Sequence, residues 1–431
     1  MQLGDREHNT TAWLTASANL ALNFYHPMYL KIKPTDSLDG ALAFLQASRE
    51  RDLTNTRLAA DLPEIVLELA PGSYTTAGRW ASDDHNYVTG PRGGRFRLVA
   101  QTQNPETCII RMTPQTACRS SRLSEAPGFG PRPDRDIPIA YFDQAEVDGI
   151  TFDCNGDQFE SDWYPMGPQF HGRYKLQNFR ILDWRGSYEH KVEAFASTSF
   201  GDTTGSTVTH GYMNNSAHKG TYSAGIMIGQ TAFPVTDSLN ALIAAQPSVM
   251  SHLVFDMADD TFWAVSANAN TVIERVVSNS KTRHFFYNDT GPTLNVVLNV
   301  CSGNSTYAAL RVLIPETYGA AANALYATSS TLHGERIVAI EGNGQMIAQL
   351  SACRLSGGPW LASNGNPGSV YIELTNCELN PGVDWRLHRL KACRGAHLFN
   401  CRNPQTGERI HQRGSVDAVQ PSFIQVPELS S

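Results

Sequence analysis

The sequence has 431 residues, of which 41% are hydrophobic and 17% charged, so the chain can bury a large core and is not of the disordered class. Its net charge of −7 and isoelectric point near 6.0, without blocks of Lys or Arg, argue against a nucleic acid or an anionic membrane as partner, because both need a concentrated positive field. The sequence contains no run of about 18 apolar residues, so no membrane-spanning helix is predicted. Residues 1–30 lack the basic start and clean apolar stretch of a signal peptide.

The first predicted element is a short helix within residues 36–46. Apolar residues recur at helical spacing at Leu38, Leu42 and Leu45, and Thr35 and Asp36 precede them as the expected N-terminal cap. A helix of this kind can cover the open end of a larger core. We therefore expect residues 1–61 to form an N-terminal arm and a capping helix.

The segments after this helix have the composition of short β-strands. They are rich in Val, Thr, Asn and Gly and contain runs with a period of two, such as VVLNV at 296–300. Residues 65–74 predict a strand and its turn. Residues 147–156 and 176–186 predict two further strands, in which Phe152 and Ile181 are equivalent inward residues.

A Leu followed three positions later by a Cys recurs every 24 residues near the C-terminus. The pairs are Leu350 and Cys353, Leu374 and Cys377, and Leu398 and Cys401. Continued towards the N-terminus at intervals of 22 to 26 residues, the Cys column passes through Ala327, Cys301, Val277 and Phe255. The residues that follow each position, from Arg402 back to Asp256, are polar. A period of this length indicates a solenoid with one side of each coil in a core.

The spacing of Leu and Cys itself predicts a corner. Residues three apart in an unbroken strand point to opposite faces, so a tight turn must separate them if both point inward. Asn376 and Asn400 occupy that turn, and Asn tolerates the left-handed conformation. Each pair is expected to stack on the same pair in the next coil, about 4.8 Å away.

This pattern of rungs resembles the right-handed parallel β-helix proteins of the pectin-lyase-like superfamily over residues 62–405. The resemblance implies an all-β solenoid of about a dozen coils that stack on their neighbours, with residues 406–431 as a C-terminal cap or tail. It also implies activity on carbohydrates, although the fold is used by hydrolases, lyases, epimerases and binding proteins. The irregular stretches 75–145 and 187–250 are the expected loops of a groove.

Two features concern metal binding. The eight cysteines include no Cys-x-x-Cys pair, which argues against a zinc site, and we expect free, buried thiols. Asp153, Asn155 and Asp157 alternate as at the start of a calcium loop, but no Glu follows at the twelfth position, so an Asx-type turn is expected. No cofactor is predicted, and calcium is left open in this loop.

The densest cluster of acidic residues predicts a catalytic site. Asp256, Asp259 and Asp260 lie beside Trp263. Glycosidic-bond hydrolysis needs a proton donor and a second carboxylate, and the aromatic ring can stack on a sugar as a substrate-binding residue. The alternative is a solvated turn in which the acids cap backbone N–H groups.

A second patch follows the strand at 176–186. Asp183 and Glu193 are predicted to assist catalysis, and Trp184 and Arg185 to bind substrate, because acids, a base and an aromatic together suit a groove wall. A charged surface loop explains the same residues equally well.

One coil beyond the acidic cluster, Lys281, Arg283 and His284 are predicted to bind substrate. The register places Lys281 near Asp259 and His284 near Phe262. These residues can bind an acidic sugar, or supply the base and charge stabilisation for β-elimination, in which the proton α to a uronate carboxylate is removed. The resemblance agrees, since lyases of this superfamily use Lys or Arg in that role. The alternative is a surface ion pair between Asp259 and Lys281, worth under about 1 kcal/mol.

The resemblance implies a carbohydrate-active protein, and the acidic residues together with it predict an enzyme that cleaves or transfers glycosidic bonds of a poly- or oligosaccharide by paired carboxylates. The acidic balance of the chain favours this hypothesis over a polysaccharide lyase acting on a uronate polymer. A lyase and a non-catalytic glycan-binding β-helix, such as a phage tailspike or adhesin module, remain alternatives. A secreted or cell-surface location is expected, and a homotrimer is left open.

Overall fold

The computed structural model describes residues 28–55, 62–77, 95–113, 136–159, 164–186, 192–197, 205–217, 223–228, 247–257, 261–267, 269–288, 294–314, 323–342, 346–364, 370–380 and 393–412. These residues form one helix, α1 (Leu38–Asn55), a short 3₁₀ turn (Gly156–Gln158) and 28 β-strands. Within these segments no helix has the length and apolar character needed to cross a membrane.

The strands form three parallel ladders. The first ladder contains β1 (Met28–Ile32), β2 (Ile65–Leu69), β4 (Phe96–Ala100), β8 (Ala145–Asp148), β19 (Leu294–Asn299), β21 (Asn323–Thr328), β23 (Met346–Ser351) and β25 (Val370–Thr375). The second contains β3 (Gly72–Thr76), β5 (Cys108–Met112), β9 (Thr151–Asp153) and β26 (Glu378–Leu379). The third contains β7 (Tyr141–Asp143), β11 (Gln169–His171), β13 (Val192–Ser197), β15 (Ser223–Ile228) and β17 (Thr261–Ala267).

Longer strands bend from one ladder to the next. Those that join the first and second ladders are β12 (Lys175–Leu182), β14 (Thr207–Asn214), β16 (Ser248–Asp256) and β27 (Cys393–Arg402). Those that join the second and third are β20 (Ser302–Ile314), β22 (Thr331–Gly342) and β24 (Arg354–Asn364), and β18 (Ala269–Asn288) contributes to all three. A separate parallel pair consists of β6 (Asp136–Pro138) and β10 (Tyr164–Met166), and β28 (Arg409–Gln412) pairs antiparallel with β27.

Apart from β28, the strands pair in parallel with the equivalent strand of a neighbouring coil, so the fold is a parallel β-helix, as predicted. One inward column of the first ladder shows the repeat. It consists of Leu30, Leu67, Leu98, Val147, Leu176, Val208, Met250, Ile273, Leu298, Ala327, Leu350, Leu374 and Leu398. From Leu67 onward each member is at most 2% exposed. Burial of a Leu or Ile side chain contributes about 1.5–3 kcal/mol, which makes this column a main source of stability.

A left-handed residue turns the chain between the first and second ladders. Two positions after each inward residue from Leu176 onward, φ lies between 49° and 55° at Asn178, His210, His252, Arg275, Val300, Ser329, Ala352, Asn376 and Asn400. The next residue points back into the core, so Leu374 and Cys377 are both fully buried. The predicted corner is confirmed, and Nδ2 of Asn400 donates a hydrogen bond to Oδ1 of Asn376 at 2.8 Å.

The predicted Cys column is wrong at three positions towards the N-terminus. Ala327 aligns with Leu350, so Ser330 takes the corner position equivalent to Cys353. Val276 and Leu253 take that position in earlier coils, in place of Val277 and Phe255. The coils differ in length, and a nearly fixed interval therefore drifts out of register. The predicted equivalence of Phe152 and Ile181 is confirmed.

Helix α1 covers the N-terminal end of the core through buried Leu38, Leu42 and Leu45, as predicted. Its cap differs from the prediction, because the Oγ of Ser37 accepts the hydrogen bond from the N–H of Gly40 at 3.0 Å. The coils also begin earlier than residue 62, since β1 already pairs with β2. At the other end, β28 lies within the segment predicted as a C-terminal cap.

Candidate functional site

A group of basic and aromatic side chains lies where β18, β20 and β22 enter the third ladder. Arg283, His284 and Tyr287 come from β18, Tyr307 and Arg311 from β20, and Arg336 from β22. Pairing places Tyr287 beside Arg311, and Ala308 beside Arg336. Three successive coils therefore contribute to one site, and these six residues are called the basic–aromatic cluster below.

Irregular pairing brings the cluster together. The ladder shifts register between Thr282 and His284, between Asn304 and Ala308, and between Gly334 and Arg336. Bulges of this kind redirect side chains out of the regular alternation. Glycine is required at one of them, because a Cβ on Gly334 would lie 2.7 Å from the backbone nitrogen of Ala309.

Three guanidinium groups converge on the ring of Tyr307. The Cζ atoms of Arg336, Arg283 and Arg311 lie 4.3, 5.6 and 5.8 Å from the ring centroid. Nη1 of Arg336 also donates a hydrogen bond to Tyr307 Oη. The ring quadrupole attracts these cations, so one tyrosine holds positive charge from three coils in a small volume.

Arg311 is held by two further rings. Its Cζ lies 4.8 Å from the centroid of Tyr287, and its Nη1 lies 3.1 Å from Nε2 of His284. The imidazole stacks on Tyr287 at 5.3 Å and meets Tyr307 edge-on at 5.4 Å. The guanidinium of Arg311 is thus confined between side chains of its own coil and the preceding one.

His284 is fully buried. Burial, followed by the charges of Arg311 and Arg283, lowers the pKa of its imidazole from 6.5 to about 3. The ring is therefore neutral at physiological pH, and the net charge of the cluster comes from the arginines. The Nε of Arg336 is buried without a hydrogen-bond partner among the described residues. Lys281, which precedes Arg283 by two residues on β18, is exposed.

Of the predicted acids, Asp256 lies on the outer side of the second ladder and is only partly exposed. Its Oδ2 accepts a hydrogen bond from Tyr212 Oη at 2.7 Å, and its Oδ1 accepts one from Asn279 Nδ2 at 2.8 Å. Both oxygens are thus engaged in contacts with neighbouring coils. Asp259 and Asp260 lie outside the described residues, so their role stays a prediction.

The second predicted patch is only partly available for binding. Trp184 is fully buried in the core, with 0% of its surface accessible to solvent. The prediction that it lines a groove wall is therefore wrong. Arg185 is half-buried, and its Nη2 donates to the carbonyl of Phe159 at 2.8 Å. Asp183 has a left-handed φ of 55°, and its backbone bridges two coils. Glu193 lies on β13, and the position of its side chain is outside the description.

The predicted basic residues behave differently from one another. Lys281 and Arg283 are exposed, whereas His284 is buried. The register prediction for His284 is off by one residue, because the structure pairs it with Trp263 and not with Phe262. The side chain of Trp263 is outside the description. Of the predicted site residues whose side chains the structure describes, Arg283 and His284 belong to the cluster.

Sequence reasoning missed Tyr287, Tyr307, Arg311 and Arg336. The pairing of β18 with β20 contains two register shifts, which a fixed repeat does not reproduce. A usable signal was nevertheless present, since RHFFY at 283–287 is followed about one coil later by TYAALR at 306–311.

The described residues contain no group of three or more His, Cys, Asp or Glu side chains that could hold a metal ion. In the loop at residues 153–157, where an Asx-type turn is expected and calcium is left open, Oδ2 of Asp153 accepts a hydrogen bond from Arg111 Nε at 2.6 Å, and Oδ1 accepts one from the N–H of Asn155 at 2.9 Å. The second contact is the expected Asx-type turn. The cysteines whose side chains are described, including Cys108 and Cys301, are free and buried, as predicted.

The strand pairing defines the class: the chain is a parallel β-helix protein. No protein-family model and no curated protein matches the sequence. Similar solved structures include the A-module of mannuronan C-5 epimerase AlgE6 of Azotobacter vinelandii, with a TM-score of 0.48 and 10% identity over 86% of this chain and 97% of that chain. The A-module of AlgE4 from the same organism gives a TM-score of 0.42 and 10% identity over 84% and 97%.

Proposed function

We propose that the protein acts on a uronate polysaccharide by removing the proton α to a sugar carboxylate. The observation that supports this proposal is the convergence of three guanidinium groups on Tyr307. Arginine is the side chain best suited to bind a carboxylate, through paired charge-assisted hydrogen bonds. A sugar that carries a carboxylate is therefore the ligand class that this group of arginines fits best.

The same arrangement suits the chemistry. Removal of the α proton places negative charge on the carboxylate oxygens, and fixed cations aimed at those oxygens stabilise that charge. We assign carboxylate binding to Arg311 and Arg336, and proton transfer to Tyr307, whose Oη already contacts Arg336. The electron pair of the broken C–H bond can then form a double bond as the glycosidic oxygen leaves and takes up a proton. Return of a proton to the opposite face of the carbon gives the epimer without cleavage.

Hydrolysis by paired carboxylates has less support among the described residues. Asp256 makes hydrogen bonds with both of its oxygens, and Tyr212 and Asn279 hold it as part of a ladder between coils. A hydrolase of either stereochemical type needs two carboxylates across a bound sugar. Among the predicted acids, the second carboxylate would have to come from Asp183, Glu193, Asp259 or Asp260.

The proposal is tested by incubating the protein with polyuronates and with neutral polysaccharides in deuterium oxide. Products are analysed by mass spectrometry, proton NMR and ultraviolet absorbance. Unsaturated uronate ends indicate elimination, and deuterium at the α carbon of intact chains indicates epimerisation; both support the proposal. Saturated fragments with added water would replace it with hydrolysis. Binding without any product would replace it with a glycan-binding module.

A matched pair of variants locates the activity. Arg336→Met removes a cation of the cluster, and Arg402→Met removes an exposed arginine of the second ladder that pairs with Glu378. We expect Arg336→Met to lower kcat/KM by about 10- to 100-fold, as for a lost hydrogen bond to a charged group, and Arg402→Met to leave it within about twofold. Equal activity of both variants would place the site elsewhere.

A further inference from the structure

The outer face of the first ladder carries a stripe of apolar side chains. The stripe consists of one residue from each of four successive coils, which pair in the order Val249, Val272, Val297 and Tyr326. Each of them lies next to a buried residue in its own strand and is itself partly exposed. The four side chains therefore form a continuous apolar surface on the outside of the coils.

The same outward column is polar on both sides of the stripe. Valine is favoured in strands generally, but strand propensity would not confine the apolar residues to four adjacent coils. An apolar centre with a polar rim is the composition of a protein interface. The flanking residues are Arg97, Glu146, Lys175 and Thr207 before the stripe, and Gln349, Glu373 and His397 after it.

The two ends of this column differ in charge. Before the stripe, the carboxylate of Glu146 lies 3.3 Å from Nε of Arg97 and 3.4 Å from Nζ of Lys175, so two cations share one anion. After the stripe, the carboxylate of Glu373 accepts a hydrogen bond at 3.2 Å from Gln349, which is neutral. Lys175 lies two coils before the stripe and Glu373 two coils after it. The opposite charges are thus equally far from its centre.

We propose that a second copy of this chain covers the stripe, with the two coil axes antiparallel. A two-fold axis along the strands at the centre of the stripe brings Val272 of one copy onto Val297 of the other, and Lys175 onto Glu373. Parallel axes, as in a trimer around a three-fold axis, would instead place each coil opposite its own equivalent. Lys175 would then face Lys175, and Glu373 would face Glu373.

The size of the face fits a weak dimer. The column from Glu146 to His397 covers ten coils, or about 43 Å at about 4.8 Å per coil, and a strand of five residues is about 16 Å long. The two lengths give roughly 700 Å² per copy, slightly less than the roughly 800 Å² of a standard interface. We therefore expect a dissociation constant in the micromolar range.

Sedimentation equilibrium between about 1 and about 100 μM tests the dimer. The mass of the native protein should rise from 47.3 kDa towards twice that value. Val297→Lys, which places a charge against the apolar stripe of the other copy, should raise the dissociation constant by about 100-fold. The matched control is Val277→Lys, at a partly exposed position of the second ladder, which should change it less than about twofold. Both variants are compared after the native thermal transition has been verified.

Three results would overturn the inference: a native protein that stays monomeric at about 100 μM, a trimer, or equal dissociation by the two variants. The measurement uses no substrate, so its outcome is independent of the proposed function.

A charge exchange tests the antiparallel orientation. Lys175→Glu and Glu373→Lys each turn both ion pairs of the dimer into repulsive contacts, so each variant alone should dissociate about 10-fold more readily. An equimolar mixture of the two variants restores both attractions and should associate like the native protein. Native-like association of each variant alone, or a mixture that does not recover, would rule out this orientation.

Discussion

Arg336 contacts Tyr307 in two ways at once: its Nη1 donates to the phenolic oxygen, and its Cζ lies 4.3 Å from the centroid of the same ring. The two residues lie on adjacent coils, with the bulge between Asn304 and Ala308 separating them in register. The contact therefore depends on the stacking of coils as well as on side-chain chemistry. Anything that loosens the bulge should disturb the cluster.

His284 should make the folding stability depend on pH. Its pKa of about 3 in the folded protein lies below the ordinary value of 6.5, chiefly because of burial. Between these values the unfolded chain binds a proton that the folded protein does not, so stability falls as the pH is lowered, by up to about 1.4 kcal/mol per pH unit. Urea unfolding at pH 7 and pH 5 should show a larger loss for the native protein than for His284→Gln. Equal losses would contradict a neutral, buried imidazole.

Val300 should be the least favourable residue of the left-handed corner. Its φ is 53°, its side chain is β-branched and its exposure is 45%. Such residues rarely adopt this conformation, at a cost of order 1–3 kcal/mol. We expect Val300→Asn to raise the free energy of unfolding by about 1 kcal/mol, because Asn is accepted at the same corner in Asn376 and Asn400. Ser351→Asn, at an exposed strand position of the first ladder, is the control and should bring no gain in the same denaturation assay.

Gly303 should be intolerant of a side chain. A Cβ at this position would lie 2.3 Å from Cδ2 of Phe285, which is fully buried. Gly303→Ala should therefore cost about 1–3 kcal/mol through overpacking, and because Phe285 adjoins His284 it should also weaken uronate binding. Combining it with Phe285→Leu should recover part of the stability. Additive losses in the double variant would show that the two side chains do not compete for the space.

The thiols of Cys108 and Cys301 should be unreactive in the folded protein. Burial raises the pKa of each to about 12, and neither thiol reaches solvent. At pH 8 only about one thiol in 10⁴ would be ionised, so alkylation should be negligible until denaturant is added. Iodoacetamide labelling followed by peptide mass spectrometry measures each site. Labelling of either cysteine without denaturant would contradict the packing.

The fold was largely predictable, because each coil of the stack needs the same local pattern of inward residues on either side of a corner. Leu374 and Cys377 lie on either side of a corner, and Asn376 between them adopts the left-handed conformation that the spacing requires. The register failed at Ala327 because the adjoining coils differ in length. A periodic pattern predicts which residues face the core, but it does not predict the number of residues in each loop.

The functional site was less accessible to the same reasoning. The cluster of acidic residues in the sequence predicted a catalytic role for Asp256. Its carboxylate accepts hydrogen bonds from Tyr212 and Asn279. Trp184 looked like a sugar-stacking residue because of its charged neighbours, yet it lies in the core. Local composition does not show which way a side chain points after a corner.

By itself, the sequence determined that this protein is a stack of β coils with a helix at one end. Hydrophobic burial recurs at every coil, so the sequence repeats its pattern of inward apolar residues and outward polar residues from coil to coil. The tertiary structure decided that His284, Arg311 and Arg336 meet around Tyr307. Their meeting depends on bulges and coil lengths, which each occur once and therefore leave no periodic signal in the chain.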